Sequence, residues 1–455
     1  MSTRVYSPLG MLGYGFPERS LRAAMELEPD ALAVDAGSVD PGPYYLGAGV
    51  SFTNDVMVHR DLSLLLPAAL KAGVPLIVGS AGGAGARPHL ELTRAIIERV
   101  AAEQGLRFRL AVIPSDLPIE VVQQAIREGR VVDFEVGREL TSEDVAACRH
   151  LVGQMGVEPF LEALSGGAQV VLAGRAYDAA GPASLPILEG ADRGLAFHMG
   201  KIVECGSQVA LPRASDGVVA EVFDDRFEIA PADPDKVSTV GLVAGHTLYE
   251  KANPYHHGMP GGHLDLHGST FEQLDERRVA VRGSRFVAEE PYAIKLEGAA
   301  FVGHRAVCLA GVRDPILIGH LDEMLDAVRR KVAADLDSRV DGSTYRLRFR
   351  VFGHDAIMGD LEPCPAPTGH EVGVLIDVTA GTPEDAATVA ALARSASLHM
   401  GYEGRKATAG NLAFPFSPAE FPAPDAYEFR VYHLLSDVDP TELFPITWTE
   451  VDGRG

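Results

Sequence analysis

Four apolar, strand-like runs in the first half of the chain end in residues able to hold or protonate a small acid. Ala31–Asp35 leads into Gly37, Ser38 and Asp40, and Pro75–Gly79 into Ser80-Ala81-Gly82-Gly83-Ala84-Gly85. Arg107–Ile113 leads to Ser115-Asp116, and Gln169–Ala173 to Gly174-Arg175-Ala176-Tyr177-Asp178. Glycines without Cβ let backbone N–H groups face an anion, and a helix N-terminus adds partial positive charge. Ser80, Gly82, Gly83 and Gly85 are therefore candidates for holding a carboxylate or phosphate, with Ser38, Arg87, His89 and Arg175 adding polar contacts. Asp35 and Asp178 are candidate bases and Tyr177 a candidate acid. The plain alternative for Gly79–Gly85 is a tight turn in which small residues let a helix pack on a sheet. Asp and Ser at strand ends also serve turns and caps for local reasons.

A fifth segment, His198-Met-Gly-Lys201-Ile-Val-Glu204-Cys205-Gly206, offers a base, a cation, a carboxylate and a thiol in close succession. On an extended backbone His198 and Glu204 share one face and Lys201 and Cys205 the other. His198 and Glu204 join the candidate bases and Lys201 the candidate substrate ligands. Cys205 is either an activated thiolate or an inert half-buried thiol. Further on, His246 to His267 holds His246, His256, His257, His263 and His267, five of the chain's 15 histidines. Its Pro and Gly content predicts an irregular, substrate-covering loop, with His246 as a substrate ligand and Tyr249 as an acid. The alternative is a divalent metal held by His256, His257, His263 and His267 with Asp265, although no HExxH is present. Two late segments, His354–Gly359 and Gly404–Pro418, are also polar; Asn411 in the second is a candidate ligand in a domain cleft or an interface.

These groups need a scaffold. Short apolar runs alternating with amphipathic helices over residues 1–212 predict an α/β domain with a doubly wound, mostly parallel sheet covered on both faces. Residues 213–455 show shorter alternating runs and two long helical patterns, Ile318–Leu336 and Pro383–Met400, the latter with Thr382 as N-cap. They predict an α+β domain with a mixed sheet. The tail after Pro422 is expected to pack on a neighbouring element or a second subunit, so a homo-oligomer is expected.

The formal charge of −23 disfavours nucleic acid and anionic lipid as partners. Four scattered cysteines with no CxxC pair suit a reducing cytosol. No apolar stretch reaches the ~18–20 residues that span a bilayer, and no signal peptide is evident, so a cytoplasmic protein without membrane partners is expected. The dinucleotide fingerprint GxGxxG and the P-loop GK[ST] are both missing, which argues against a nicotinamide oxidoreductase.

Val34-Asp-Ala-Gly-Ser-Val-Asp-Pro-Gly-Pro-Tyr-Tyr-Leu-Gly47, together with PLIVGSAGGAG, GRAYDAA, HMGKIVECGS and TAGNLAFPFSP, resembles the acyclic terpene utilisation AtuA family over nearly the whole chain. The resemblance implies a place in the catabolism of branched acyclic acids and their CoA thioesters. It brings no catalytic set to transfer. Combined with the strand-end residues, it leads to an enzyme acting on a carboxylate or acyl-CoA, a hydratase/dehydratase-type lyase or an isomerase. No cofactor is expected beyond the CoA of a thioester substrate. A metal-dependent hydrolase or lyase and a non-catalytic acyl-binding or scaffold subunit are the alternatives.

Overall fold

The computed structural model describes residues 2–38, 40–134, 137–249, 253–336, 344–364 and 369–454. The chain forms two compact units, one of Met1–Ala300 with Phe429–Gly455 and one of Phe301–Glu428. The expected division at residue 212 does not coincide with this one, because strands beyond 212 join the sheet that the first 200 residues build.

That sheet has ten strands. In its middle Thr3–Ser7, Ala31–Gly37, Leu76–Gly83, Val170–Ala173 and Arg107–Ile113 lie side by side and parallel. Val218–Val222, Phe227–Pro231, Val279–Arg282 and Thr270–Gln273 extend one side antiparallel. Thr447–Asp452 closes the other edge against Arg107–Ile113. The continuous apolar runs are explained by burial on both faces. Ala31, Ala33, Ile77, Ala111 and Val171 point into one core, whereas Leu32, Val34, Leu76, Val78, Leu110 and Leu172 point into the other. The second core takes helices Asp55–Ala72 and Arg87–Gln104; the first takes Glu158–Ser165, Ala180–Leu188 and Arg193–Val203.

Two local expectations change. The His198–Glu204 segment is helical, not extended, over Arg193–Val203. Asp192 caps it by accepting from the Leu195 N–H at 3.0 Å, and Leu195, Met199 and Ile202 give it a buried helical stripe. Part of the histidine-rich segment, residues 256–265, is regular as well. His256–Met259 and Gly262–Asp265 form a hairpin around Pro260-Gly261, and Arg285–Ala288 pairs with its second strand. Gly and Pro concentrate at the turn, where a hairpin needs them.

In the second unit, Tyr345–Phe352 and Val372–Ala380 pair antiparallel, and Val372–Ala380 pairs in turn with residues 304–312. Phe349, Val351, Val374 and Ile376 face helices Leu321–Leu336 and Pro383–His399. Thr382 caps the latter by accepting from the Asp385 N–H at 3.1 Å, as its sequence predicts. On the opposite face Arg305, Arg346, Arg348 and Arg350 surround Asp377 in a cavity of about 200 Å³. Among the described residues, no helix is long and apolar enough to cross a membrane.

Candidate active site

The C-terminal ends of the parallel strands are where open α/β sheets bind ligands. Here the first unit has a cavity of about 1470 Å³. Asp35, Gly37 and Ser38 reach it from the Ala31–Gly37 strand, and Arg175, Tyr177 and Asp178 from the segment after Val170–Ala173. Glu204 and Cys205 line it from the end of the Arg193–Val203 helix, His246 and Tyr249 from the end of Val240–Thr247, and His256 from the hairpin. The sequence thus named part of the polar wall.

Asp35 is 5% exposed. Its Oδ2 accepts from the Gly37 N–H at 3.0 Å, and its buried Oδ1 has no hydrogen-bond partner among the described residues. Burial and the adjacent charge of Asp178 push its carboxyl well above the ordinary carboxylate range, with Arg175 opposing. Burial also raises the Tyr177 phenol, so it stays protonated through neutral pH. Glu204 is paired with the buried Lys201 at 2.5 Å.

Arg175 is fully engaged. Its Nε donates to Glu297 at 2.9 Å, and its Nη1 to Asp178 at 3.0 Å and Ser80 at 3.2 Å. Glu297 also receives Lys295 at 2.7 Å. Although burial opposes it, Arg175 and Lys295 hold the Glu297 carboxyl down to about 2. Arg175 therefore orients Asp178 and offers little charge to an anionic ligand. Lys295 and Gln154, register partners on neighbouring strands, both reach the cavity. The signal for them lay in Lys295-Leu-Glu297, two charges among Ala, Ile and Leu near the start of strand Ala293–Val312, which the strand-end search passed over. Asp216 and Glu289 were missed because acids before or within a turn look like turn chemistry.

The glycine-rich segment does not meet the cavity. Leu76–Gly83 is strand throughout, and Ser80, Gly82, Gly83 and Gly85 lie beneath the wall rather than on it. Ser80 Oγ donates to the Ala176 carbonyl and accepts from the Ala176 N–H, both at 3.2 Å. A Cβ on Gly85 would sit 2.0 Å from the Arg175 nitrogen, and one on Gly37 2.4 Å from the Ser80 Cβ. Small residues here bring the Arg175 segment close, which is the packing alternative. Arg87 is exposed outside the cavity, and His89 is buried with Nε2 on the Tyr45 and Val50 carbonyls.

Three other candidates are also placed elsewhere. His198 is fully buried, bonded through Nδ1 to Ser284 at 2.6 Å and through Nε2 to Thr247 at 2.9 Å; burial and His257 lower its pKa to about 3. It ties the Arg193–Val203 helix to its neighbours and does not line the cavity. Lys201 is buried behind Glu204. Asn411 belongs to the second unit, where its side-chain amide donates to the Ser397 and Met400 carbonyls at 3.0 and 2.8 Å, finishing the Pro383–His399 helix.

Of the histidines named as metal ligands, the hairpin brings His256 and His263 together, with Glu289 as a third donor. Their ligand atoms lie within 4.8 Å of one another, and the two rings stack at 3.8 Å. His257 is buried against the Pro254 carbonyl, and His267 is an exposed partner of Asp265.

No curated protein and no solved structure matches the chain significantly. A family description, acyclic terpene utilisation family protein AtuA, does match, over residues 53–414, a span that contains Arg175, Tyr177, Asp178, Glu204 and the hairpin. The chain belongs to this family, one involved in the utilisation of acyclic terpenes.

Proposed function

We propose that the protein is an enzyme acting on a branched acyclic carboxylic acid or its thioester, as a hydratase/dehydratase or an isomerase. The observation that carries this reading is Asp35, a buried carboxyl on the cavity wall with one unpartnered oxygen and a raised pKa. A carboxyl that keeps its proton above the ordinary carboxylate range and faces a cavity is the kind of group general acid–base catalysis uses. The cavity exceeds the ~300–1,000 Å³ usual for small ligands, and Met11, Phe134, Leu242, Met259, Tyr432 and Leu434 give it an apolar side suited to an acyl chain.

Each residue then has a task. Asp35, protonated at rest, gives its proton to a leaving hydroxyl, and as the carboxylate so formed it takes one from the carbon next to the carbonyl. The Tyr177 phenol donates a hydrogen bond to the oxygen on which charge develops. Arg175 and Asp178 are positioning residues: the guanidinium fixes the Asp178 carboxylate, and that charge keeps the Asp35 proton in place.

Turnover of branched 3-hydroxyacyl-CoA, 2-enoyl-CoA and free-acid substrates tests the proposal. Asp35→Asn should lower kcat by about 10²–10⁴-fold, the range for a lost acid–base group, and Tyr177→Phe should lower it less. Full activity in Asp35→Asn sinks the assignment. Tight binding of such ligands with no turnover by the wild type favours a non-catalytic acyl-binding subunit instead.

A further inference from the structure

The histidine hairpin places three donors on one face of a small sheet. In an antiparallel ladder, directly opposed residues and their diagonal neighbours share a face. His263 stands opposite Gly258 on one side and Val287 on the other. His256 lies two residues before Gly258, and Glu289 two after Val287, so all three project the same way. Gly258 has open space where a Cβ would stand, and this gap lets the His256 and His263 rings meet across it. Glu289 is held in register by its N–H to the Gly261 carbonyl at 3.0 Å, and its carboxylate reaches His263 Nδ1 at 2.5 Å.

This face belongs to the cavity, since His256, Gly258, Gly262 and Glu289 all line it. With Asp35 protonated and Glu204 and Asp216 paired to the buried Lys201 and Lys236, the wall still carries Asp40, Asp178 and Glu289 against Arg175, Arg213 and Lys295. Two of those cations are committed to Glu297. A carboxylate or thioester substrate therefore meets a wall with little positive charge to offer, while a cation meets a complementary one. Two imidazoles and one carboxylate suit a divalent transition metal, and three protein ligands leave coordination positions open.

We propose that His256, His263 and Glu289 bind one divalent transition-metal ion, open on the cavity side to an oxygen of the substrate. His257 and His267 take no part. The site stands independently of the proton-transfer role of Asp35, because its test reads metal binding and not turnover.

Full-length protein, stripped with chelator, is titrated with zinc by calorimetry and with cobalt by visible absorption. One equivalent per chain and cobalt d–d bands of a low-coordinate site are expected. His256→Ala and Glu289→Gln should each weaken zinc binding at least tenfold, and His267→Ala should leave it unchanged. Glu289 is exposed, so its variant tests the site without threatening the fold. Absence of stoichiometric zinc binding by the wild type overturns the proposal, as does binding equally tight in His256→Ala and Glu289→Gln.

Discussion

Asp35 shows how one side chain couples stability to function. Its carboxyl is held protonated by burial and by Asp178, so between the unfolded value near pH 4 and its raised folded value the native state binds the extra proton. Wild-type stability therefore declines as pH rises through that interval. Asn at this position keeps an acceptor for the Gly37 N–H and has no proton to lose. Asp35→Asn is expected to melt above the wild type at pH 7–8 and level with it below about pH 4. Thermal melts across pH 3–9 check this, and a variant less stable at every pH would contradict the assigned protonation. His198 carries the opposite lesson. From its sequence neighbours it reads as a base beside a cation and a carboxylate. Once the segment winds into a helix, Ser284 and Thr247 occupy both ring nitrogens. Those partners lie 86 and 49 residues away in the chain, and no local pattern announces them.

At the scale of elements, the strand-and-helix alternation was legible because burial on both sheet faces writes itself as uninterrupted apolar runs. The Thr382 cap was legible for a local reason, a side chain bonding three residues ahead. The glycine-rich segment was found with two readings open, because glycine permits close approach without saying whether a ligand or another backbone does the approaching. Here it is the Gly174–Arg175 backbone, against Gly85. Gly85→Ala must push that segment outward or strain a residue at φ +70°. A loss of about 3 kcal/mol or more is expected, the range for overpacking combined with backbone strain. Substrate turnover should fall with it, since Arg175 and Asp178 move together. Denaturant unfolding of the variant measures the first effect; a loss under about 0.5 kcal/mol, the size of a neutral surface change, would show that the contact relaxes freely.

For the whole molecule, the sequence pointed to an α/β region and a later mixed α/β region, and both are present. It did not disclose that the last strand returns to the first region. Thr447–Asp452 completes the ten-stranded sheet, and Trp448 covers the Arg109 guanidinium at 4.2 Å. A short polar-flanked run far from its partner carries no mark of where it pairs. Removing residues 447–455 would bare the backbone edge of Arg107–Ile113, an invitation to pair with other chains. Such a truncation is expected to elute as aggregate in size-exclusion chromatography and to melt below the full-length chain. A monodisperse, equally stable truncation would show the edge to be protected by other means.

The placement of residues 301–428 between two segments of the first unit also has a consequence for biosynthesis. A chain emerging from the ribosome delivers nine strands of the large sheet, then the entire second unit, and only after it the strand that seals the edge. During that interval the nascent sheet carries an open side while a separate core is forming. Unfinished edges of this kind are what chaperones shield and what aggregation exploits. Slow synthesis through residues 301–428 therefore prolongs the interval in which that edge is open.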